Sequence, residues 1–380
     1  MTTYARGSET AAAETPKPGR IASLDWVRGW FLCASVATVS VLAPRPEQLV
    51  HAEWFGVTAQ DLIFPLFVTL SGAGLAFAYR NAVGWGATIR RSVVLLLCGL
   101  AYNMVAAQTT DLSNLRWTGA LQVYAVLVLV IGVLHKVARG PKAWVVVVAV
   151  VAIGQGTLLY LWQDGCAGDV LSPECNPSRV IDQAMLGTAH MYAGGALGHD
   201  PEGVIGIVGA LLTACVGAVA GHLALSARGT HRGPAYLLGW AAALMLTAVA
   251  AAQLLPAMKR LWTTPFALGA GALGVVLLAV GMAVLDLPAG QRWRTVRERL
   301  AWPLVAMGRN SLLVYFGSHL LMIVLLTRTD ENGHPWANVL SDKVEDLALG
   351  HNRAGVVLVM LVLWAGLAAV LHWRRVYLRP

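Results

Sequence analysis

Residues 262–285 read WTTPFALGAGALGVVLLAVGMAVL, a run with no acidic or basic side chain. As an α-helix rising ~1.5 Å per residue it is long enough to cross a hydrocarbon layer about 30 Å thick. Similar runs recur along almost the whole chain. Of its 380 residues, 57% are hydrophobic and 13% charged, and the mean hydropathy is +0.62. That apolar share exceeds what a soluble domain carries and marks an integral membrane protein. Backbone groups in lipid must be satisfied within each segment, so repeated spans imply an all-α, polytopic bundle.

Working outward from that run, spans are expected near 25–43, 61–80, 90–107, 117–135, 143–163, 203–224, 234–255, 262–285, 302–326 and 354–373. Ten spans put both termini on one side. One alternate set of segments holds Arg6, Lys17, Arg20 and Arg28; Arg80, Arg90 and Arg91; Lys136, Arg139 and Lys142; Arg228 and Arg232; Arg292, Arg294, Arg297 and Arg299; and Arg374, Arg375 and Arg379. The positive-inside rule makes that side cytoplasmic. The same placement accounts for the net charge of +8, because the cations lie in short loops rather than on one soluble face, and nucleic acid is excluded as a partner. Residues 1–24 are polar, without an apolar core, and read as a disordered cytoplasmic tail. Residues 25–375 form a single transmembrane domain with long extracytoplasmic loops near 164–202 and 327–353.

Cys166 and Cys175 share the first of these loops, where an oxidising compartment favours a disulfide over a metal site. Cys33, Cys98 and Cys215 fall inside spans and read as small buried apolar residues. No metal-ligand spacing, phosphate loop or dinucleotide fingerprint is present. Ser71-Gly72-Ala73-Gly74 and Gly269-Ala270-Gly271 are the small-residue pattern of closely packed membrane helices.

Chemistry concentrates at the extracytoplasmic edge of the second span, in His51-Ala52-Glu53-Trp54-Phe55-Gly56-Val57-Thr58-Ala59-Gln60-Asp61. His51 reads either as a wet, headgroup-level histidine or as a general base, since its ionisation lies near neutral pH. Asp61 with Thr58 reads either as a capping box or as the acid that orients His51. Asp25 and Arg28, spaced i and i+3, share one helix face, with an ion pair as the default reading. Asp200 and Glu202 precede the sixth span, where a helix N-terminus favours negative charge, and Lys259 and Arg260 precede Trp262. Arg309 and Asn310 lie inside the expected ninth span and require polar partners or a water-filled cavity.

Several ordered motifs together carry a resemblance: Leu24-Asp25-Trp26-Val27-Arg28-Gly29; His51 to Phe67; Arg116-Trp117-Thr118-Gly119-Ala120-Leu121-Gln122; Asp182 to Leu186-Gly187 with His190-Met191-Tyr192; Asp200-Pro201-Glu202-Gly203; Pro256 to Lys259 with Leu261-Trp262-Thr263; and Gly308-Arg309-Asn310-Ser311-Leu312-Leu313-Val314-Tyr315. From about residue 21 to 325 the chain resembles the heparan-α-glucosaminide N-acetyltransferase family of transmembrane acyltransferases. The resemblance implies transfer of an acetyl group from cytoplasmic acetyl-CoA to the amine, or a hydroxyl, of an extracytoplasmic amino sugar or glycan. His51 matches the family's active-site histidine and is the expected base, with Asp61 beside it. Trp54, Asp200, Glu202, Lys259, Trp262 and Asn310 are the expected substrate-lining residues. Arg28, Arg90, Arg91, Gln122 and Arg309 are expected along the donor path, and the Arg292–Arg299 cluster is a further donor-side candidate. No metal is expected. Membrane lipid and a homodimer as one candidate assembly complete the expected partners, and a bacterial-type member implies the plasma membrane.

The chain departs from the family pattern at Thr38-Val39-Ser40, where the family places an Asn, and at Val123, where it has Arg. Either an oxyanion or acceptor contact is missing here, or Ser40 or Asn103 supplies it. The rival reading is a transporter or permease for a sugar or lipid-linked glycan, using the same polar cavity for passage.

Overall fold

The computed structural model describes residues 21–347 and 352–378, with side chains omitted at 345–347 and 352–354. Its helices are α1 (Ala22–Ser40), α2 (Ala59–Ala78), α3 (Trp85–Ala107), α4 (Ala120–Val137), α5 (Pro141–Asp164), α6 (Pro177–Leu186), α7 (Val204–Ser226), α8 (Arg232–Ala251), α9 (Thr264–Leu285), α10 (Gln291–Arg309), α11 (Ser311–Thr327), α12 (Trp336–Leu347) and α13 (Asn352–Trp373). Among the described residues there is no strand, only isolated bridges such as Gly56 with Met258. The fold is that of an all-α integral membrane protein.

Among the described residues, eight helices are long and apolar enough to cross a membrane, or nine if the bent pair α10–α11 counts as one span. The expected first span, α1, is not among them: Ser23, Asp25 and Arg28 dilute its apolar character, and it runs through the bundle interior with Asp25 and Ser35 buried. Residues 1–20 of the expected tail lie outside the described residues. Residues 22–24 do not belong to a tail, because they form the first turn of α1.

The expected ninth span is two helices meeting at 69°. Asn310 ends α10 and precedes α11, with φ −108° and ψ 31°. The break follows from packing. A Cβ on Gly308 would sit 1.8 Å from the Asp25 carbonyl oxygen, and one on Gly29 would sit 2.1 Å from that of Leu304. α10 therefore lies with its backbone against α1, and α11 turns away from it. The first long loop is also structured. It contains α6, started by Pro177 and capped by Asn176, whose side chain accepts from Arg179 N–H. In the second loop, residues 348–351 lie outside the described residues.

The core is built from α1, α2, α4, α7 and α9. α2 and α7 touch backbone to backbone at their small residues, since a Cβ on Gly72 would lie 1.9 Å from the Ala214 carbonyl and one on Gly217 1.9 Å from that of Thr69. This is the close packing that the small-residue pattern implies. Against that rigid pair, α1, α3, α4 and α11 leave space between them.

Candidate functional site

The space is a cavity of about 350 Å³, walled by Ser35 and Thr38 on α1, Ile63 to Leu75 on α2, Leu95 and Tyr102 on α3, and Tyr315 and His319 on α11. One end holds His51, Asp61, Glu202 and Lys259; the other holds Arg28 and Arg91. A second cavity, of about 590 Å³, shares Arg28, Arg91, Ser311 and Leu312 with the first and adds Arg80, Arg228 and Arg309. The two together trace a path along the bundle from an imidazole end to a guanidinium end.

The imidazole end is organised by the entry into α2. Asp61, 1% exposed, lies in the first turn and accepts through both oxygens. Its Oδ1 is 2.7 Å from His51 Nδ1. Its Oδ2 accepts from Ala52 N–H at 3.2 Å and Thr58 N–H at 3.0 Å, and the Thr58 hydroxyl oxygen stands 3.1 Å away. The two sequence readings of Asp61 are therefore one arrangement, since the residue that caps the helix also orients the histidine. The capping box of Thr58 and Asp61 forms, and the Thr58 hydroxyl donates its hydrogen at 2.7 Å to the Val50 carbonyl. Arg260 Nε donates to the Ala52 carbonyl at 2.9 Å, fixing the same loop from the other side. A carboxylate only accepts, so His51 Nδ1 carries the hydrogen and Nε2 is left with its lone pair. The His51 side chain is 45% exposed.

Beside it stands a buried ion-pair network. Arg116 Nη2 lies 2.7 Å from Asp200 Oδ1 and 2.7 Å from Glu202 Oε2, and Lys259 Nζ lies 3.1 Å from Glu202 Oε1. Thr118 donates to Asp200 at 2.5 Å. Burial acts to raise the Glu202 carboxyl, but Lys259 and Arg116 outweigh it and hold it down at about 2. Burial likewise opposes the Arg116 charge, and Glu202 and Asp200 overcome it, leaving the guanidinium above its ordinary value. Behind the network, Asp182 accepts from Val204 N–H at 2.8 Å at the start of α7, and burial raises it to about 6.

Of the residues expected along the substrate path, Glu202 and Lys259 line the cavity. Trp54, Asp200, Trp262 and Asn310 are not among its lining residues. Trp54 is buried and donates from its indole to the Leu171 carbonyl; Trp262 is fully buried and donates to Thr213. Asp200 is enclosed by Arg116, Thr118 and Tyr192 N–H, and Asn310 donates to the Ala306 carbonyl at the α10–α11 break. These four support walls rather than forming them. On the donor side, Arg28 and Arg91 line both cavities and Arg309 lines the second. Arg90 is exposed and lines neither cavity, and Gln122 is buried against Gly99. Of the two alternatives for the departure at Thr38-Val39-Ser40, the structure favours a missing contact, since neither Ser40 nor Asn103 lines the cavity. The Ser40 hydroxyl is spent on the Val36 carbonyl, and the Asn103 amide on the carbonyls of Arg116 and Thr118. Cys166 and Cys175 are disulfide-bonded.

Sequence reasoning missed Tyr102, Tyr124, Tyr315, His319 and Arg45, all cavity-lining. Their recurrence inside or beside spans is the signal that was available.

A family model described as heparan-alpha-glucosaminide N-acetyltransferase, catalytic, matches residues 20–164, which hold His51, Asp61, Arg28 and Arg91. The chain's similarity to the heparan-alpha-glucosaminide N-acetyltransferase of Homo sapiens is 23% identity, covering 95% of this chain and 60% of the human protein. With the Mus musculus protein of the same name it is 23% identical, covering 86% of this chain and 56% of that protein. The chain thus spans less than two thirds of the length of these relatives.

Proposed function

We propose that the protein is a membrane acetyltransferase that carries an acetyl group from acetyl-CoA to the amine of a sugar presented at the His51 end. The observation that carries this reading is the cavity itself, which joins an Asp61-oriented imidazole at one end to a cluster of guanidinium groups at the other. The guanidinium end faces the cytoplasm by the positive-inside rule, and the His51 end faces the opposite compartment.

The donor's nucleotide phosphates match the second cavity, where Arg28, Arg80, Arg91, Arg228 and Arg309 gather. From there the pantetheine arm threads past Ser311 and Leu312, and its thioester reaches the upper cavity. The acceptor enters beside Glu202 and Lys259. As the amine nitrogen attacks the thioester carbonyl, His51 Nε2 takes the proton that nitrogen loses, and Asp61 stabilises the imidazolium so formed. Holding both substrates in one narrow cavity supplies the proximity that a bimolecular reaction in water lacks. No step calls for a metal ion.

The test is transfer from radiolabelled acetyl-CoA to glucosamine and to a panel of cell-wall amino sugars in proteoliposomes, wild type against His51→Ala. Transfer that vanishes with His51 supports the enzyme. A wild type that acetylates nothing, yet moves a glycan equally well with and without His51, replaces this reading with a permease.

A further inference from the structure

Two imidazoles line the upper cavity, His51 and His319 of α11, and the pathway above uses only the first. His319 Nδ1 lies 2.9 Å from the Tyr315 carbonyl oxygen. A carbonyl only accepts, so Nδ1 bears the hydrogen and the Nε2 of the neutral ring presents a lone pair. α11 begins at Ser311, on the wall common to both cavities, and runs away from the guanidinium end. The Tyr315 ring meets Phe67 at 6.3 Å, and the His319 ring stands 4.3 Å from that of Tyr315. One helical turn, about 5.4 Å, carries His319 beyond Tyr315 toward the His51 end. The ring is partly accessible rather than sealed in the core.

The chemistry has a place for a second proton carrier. A sugar amine near neutral pH arrives as an ammonium ion, and its amide product is neutral. Two protons must therefore leave nitrogen: one ends on the sulfur of CoA and the other in water. His51, nearly half exposed, can pass its proton to water. The sulfur departs on the deeper, donor side of the carbonyl, away from that exposed edge.

We propose that His319 is a second catalytic residue of acetyl transfer, a proton carrier between the acceptor ammonium and the departing thiolate. This rests on the acetyltransferase reading. His319 Nε2 first takes a proton from the ammonium, giving a free amine and an imidazolium. The amine attacks the thioester carbon and the C–N bond forms, with the second proton passing to His51 Nε2. The C–S bond then breaks, its electron pair stays on sulfur, and the His319 imidazolium protonates the thiolate. His51 releases its proton to water. Ammonium and thioester thus become amide, thiol and one proton, and both rings return to neutral.

The charged and titratable groups that line the cavity with His319 are Arg28, Arg45, His51, Asp61, Arg91, Tyr102, Tyr124 and Tyr315, with Glu202 and Lys259 paired at the rim. The experiment measures kcat, the KM for acetyl-CoA and acetyl-CoA binding in proteoliposomes from about pH 6 to 9.5, with glucosamine as acceptor. It compares wild type with His319→Gln, His319→Asn and His319→Ala, the last with and without added imidazole. His319→Gln should lower kcat about 100-fold at pH 7, leave acetyl-CoA binding unchanged, and recover as rising pH delivers the acceptor already as free amine. Imidazole should restore part of the activity of His319→Ala.

Wild-type kcat at every pH in the Gln variant would overturn the proposal, as would a change confined to KM or a loss that is independent of pH and not rescued by imidazole. A wild type that transfers nothing refutes the underlying acetyltransferase reading instead.

Discussion

On the acetyltransferase reading proposed above, replacing Asp61 by Asn should silence transfer while leaving the protein folded, and the geometry says why. Asp61 Oδ2 accepts from two backbone donors, the N–H groups of Ala52 and Thr58. An amide can meet two backbone N–H groups only with its oxygen, so the Asn oxygen must take the Oδ2 position. Its NH₂ then occupies the Oδ1 position, 2.7 Å from His51 Nδ1. Two donors cannot face each other, so Nδ1 gives up its hydrogen and Nε2 acquires it. The base is lost by tautomer exchange, with hardly an atom displaced. Reversal of a catalytic imidazole tautomer is expected to lower kcat by about 10³-fold, and at ~1.36 kcal/mol per decade this is about 4 kcal/mol of barrier. The thermal midpoint in detergent should change little, because the loop donors keep their acceptor. Acetyl-CoA binding, measured by equilibrium dialysis, should be unchanged. Asp61→Ala should differ by losing stability as well, about 2–4 kcal/mol for backbone donors left without a charged acceptor. An Asp61→Asn enzyme within threefold of wild-type kcat would refute the tautomer argument.

Three further outcomes follow from other parts of the structure. Glu202 titrates at about 2 when folded against an ordinary value of 4.5, so the unfolded chain binds more protons between those values; the stability Glu202 contributes is present above about pH 4.5 and drains as pH falls toward 2. Thermal midpoints of wild type should therefore drop over that window more steeply than those of Glu202→Gln, and parallel curves would count against the network. Gly217→Leu must force α7 off α2, where a Cβ already falls 1.9 Å from the Thr69 carbonyl; a loss of at least 1–3 kcal/mol, read as lower yield and midpoint, is expected, whereas a wild-type midpoint would show that the two helices do not pack as described. Arg91→Ala should raise the KM for acetyl-CoA about tenfold with little change in kcat, in a salt-dependent way, while Arg90→Ala on the exposed side should do nothing; equal effects from the two would remove the donor assignment.

The positions of α2, α4, α7 and α9 were legible because each is an uninterrupted apolar run of membrane length. The small residues Gly72 and Gly217 carry a helix contact that sequence spacing suggests and backbone distances show. The bend at Asn310 was not legible. Arg309 and Asn310 read as polar intrusions in one span, and nothing local says that Gly308 must press on Asp25 and send α11 off at 69°. The same limit applies to the tryptophans. Trp54 and Trp262 have the residue type of a sugar platform, yet each indole N–H is directed at a buried acceptor, Leu171 in one case and Thr213 in the other. Sequence identifies an aromatic at the right level but not which side of a wall it stands on.

The cavity's polar groups divide by how far apart in the chain their partners lie. His51 and Asp61 are ten residues apart, close enough for one helix entry to hold both, and so the pair can be read from a short stretch. Arg116 meets Glu202 across 86 residues and Glu202 meets Lys259 across 57, so the network exists only once α4, α7 and the segment before α9 have packed. The opposite end shows the same dependence, because Arg28 and Arg91 bound one cavity only after α1 and α3 converge on α11. The local pair supplies an oriented imidazole in any context that forms the start of α2. What gives that imidazole a donor and an acceptor is the long-range packing, and a substitution at the α2–α7 or α1–α10 glycine contacts should therefore abolish transfer without touching any residue that meets substrate.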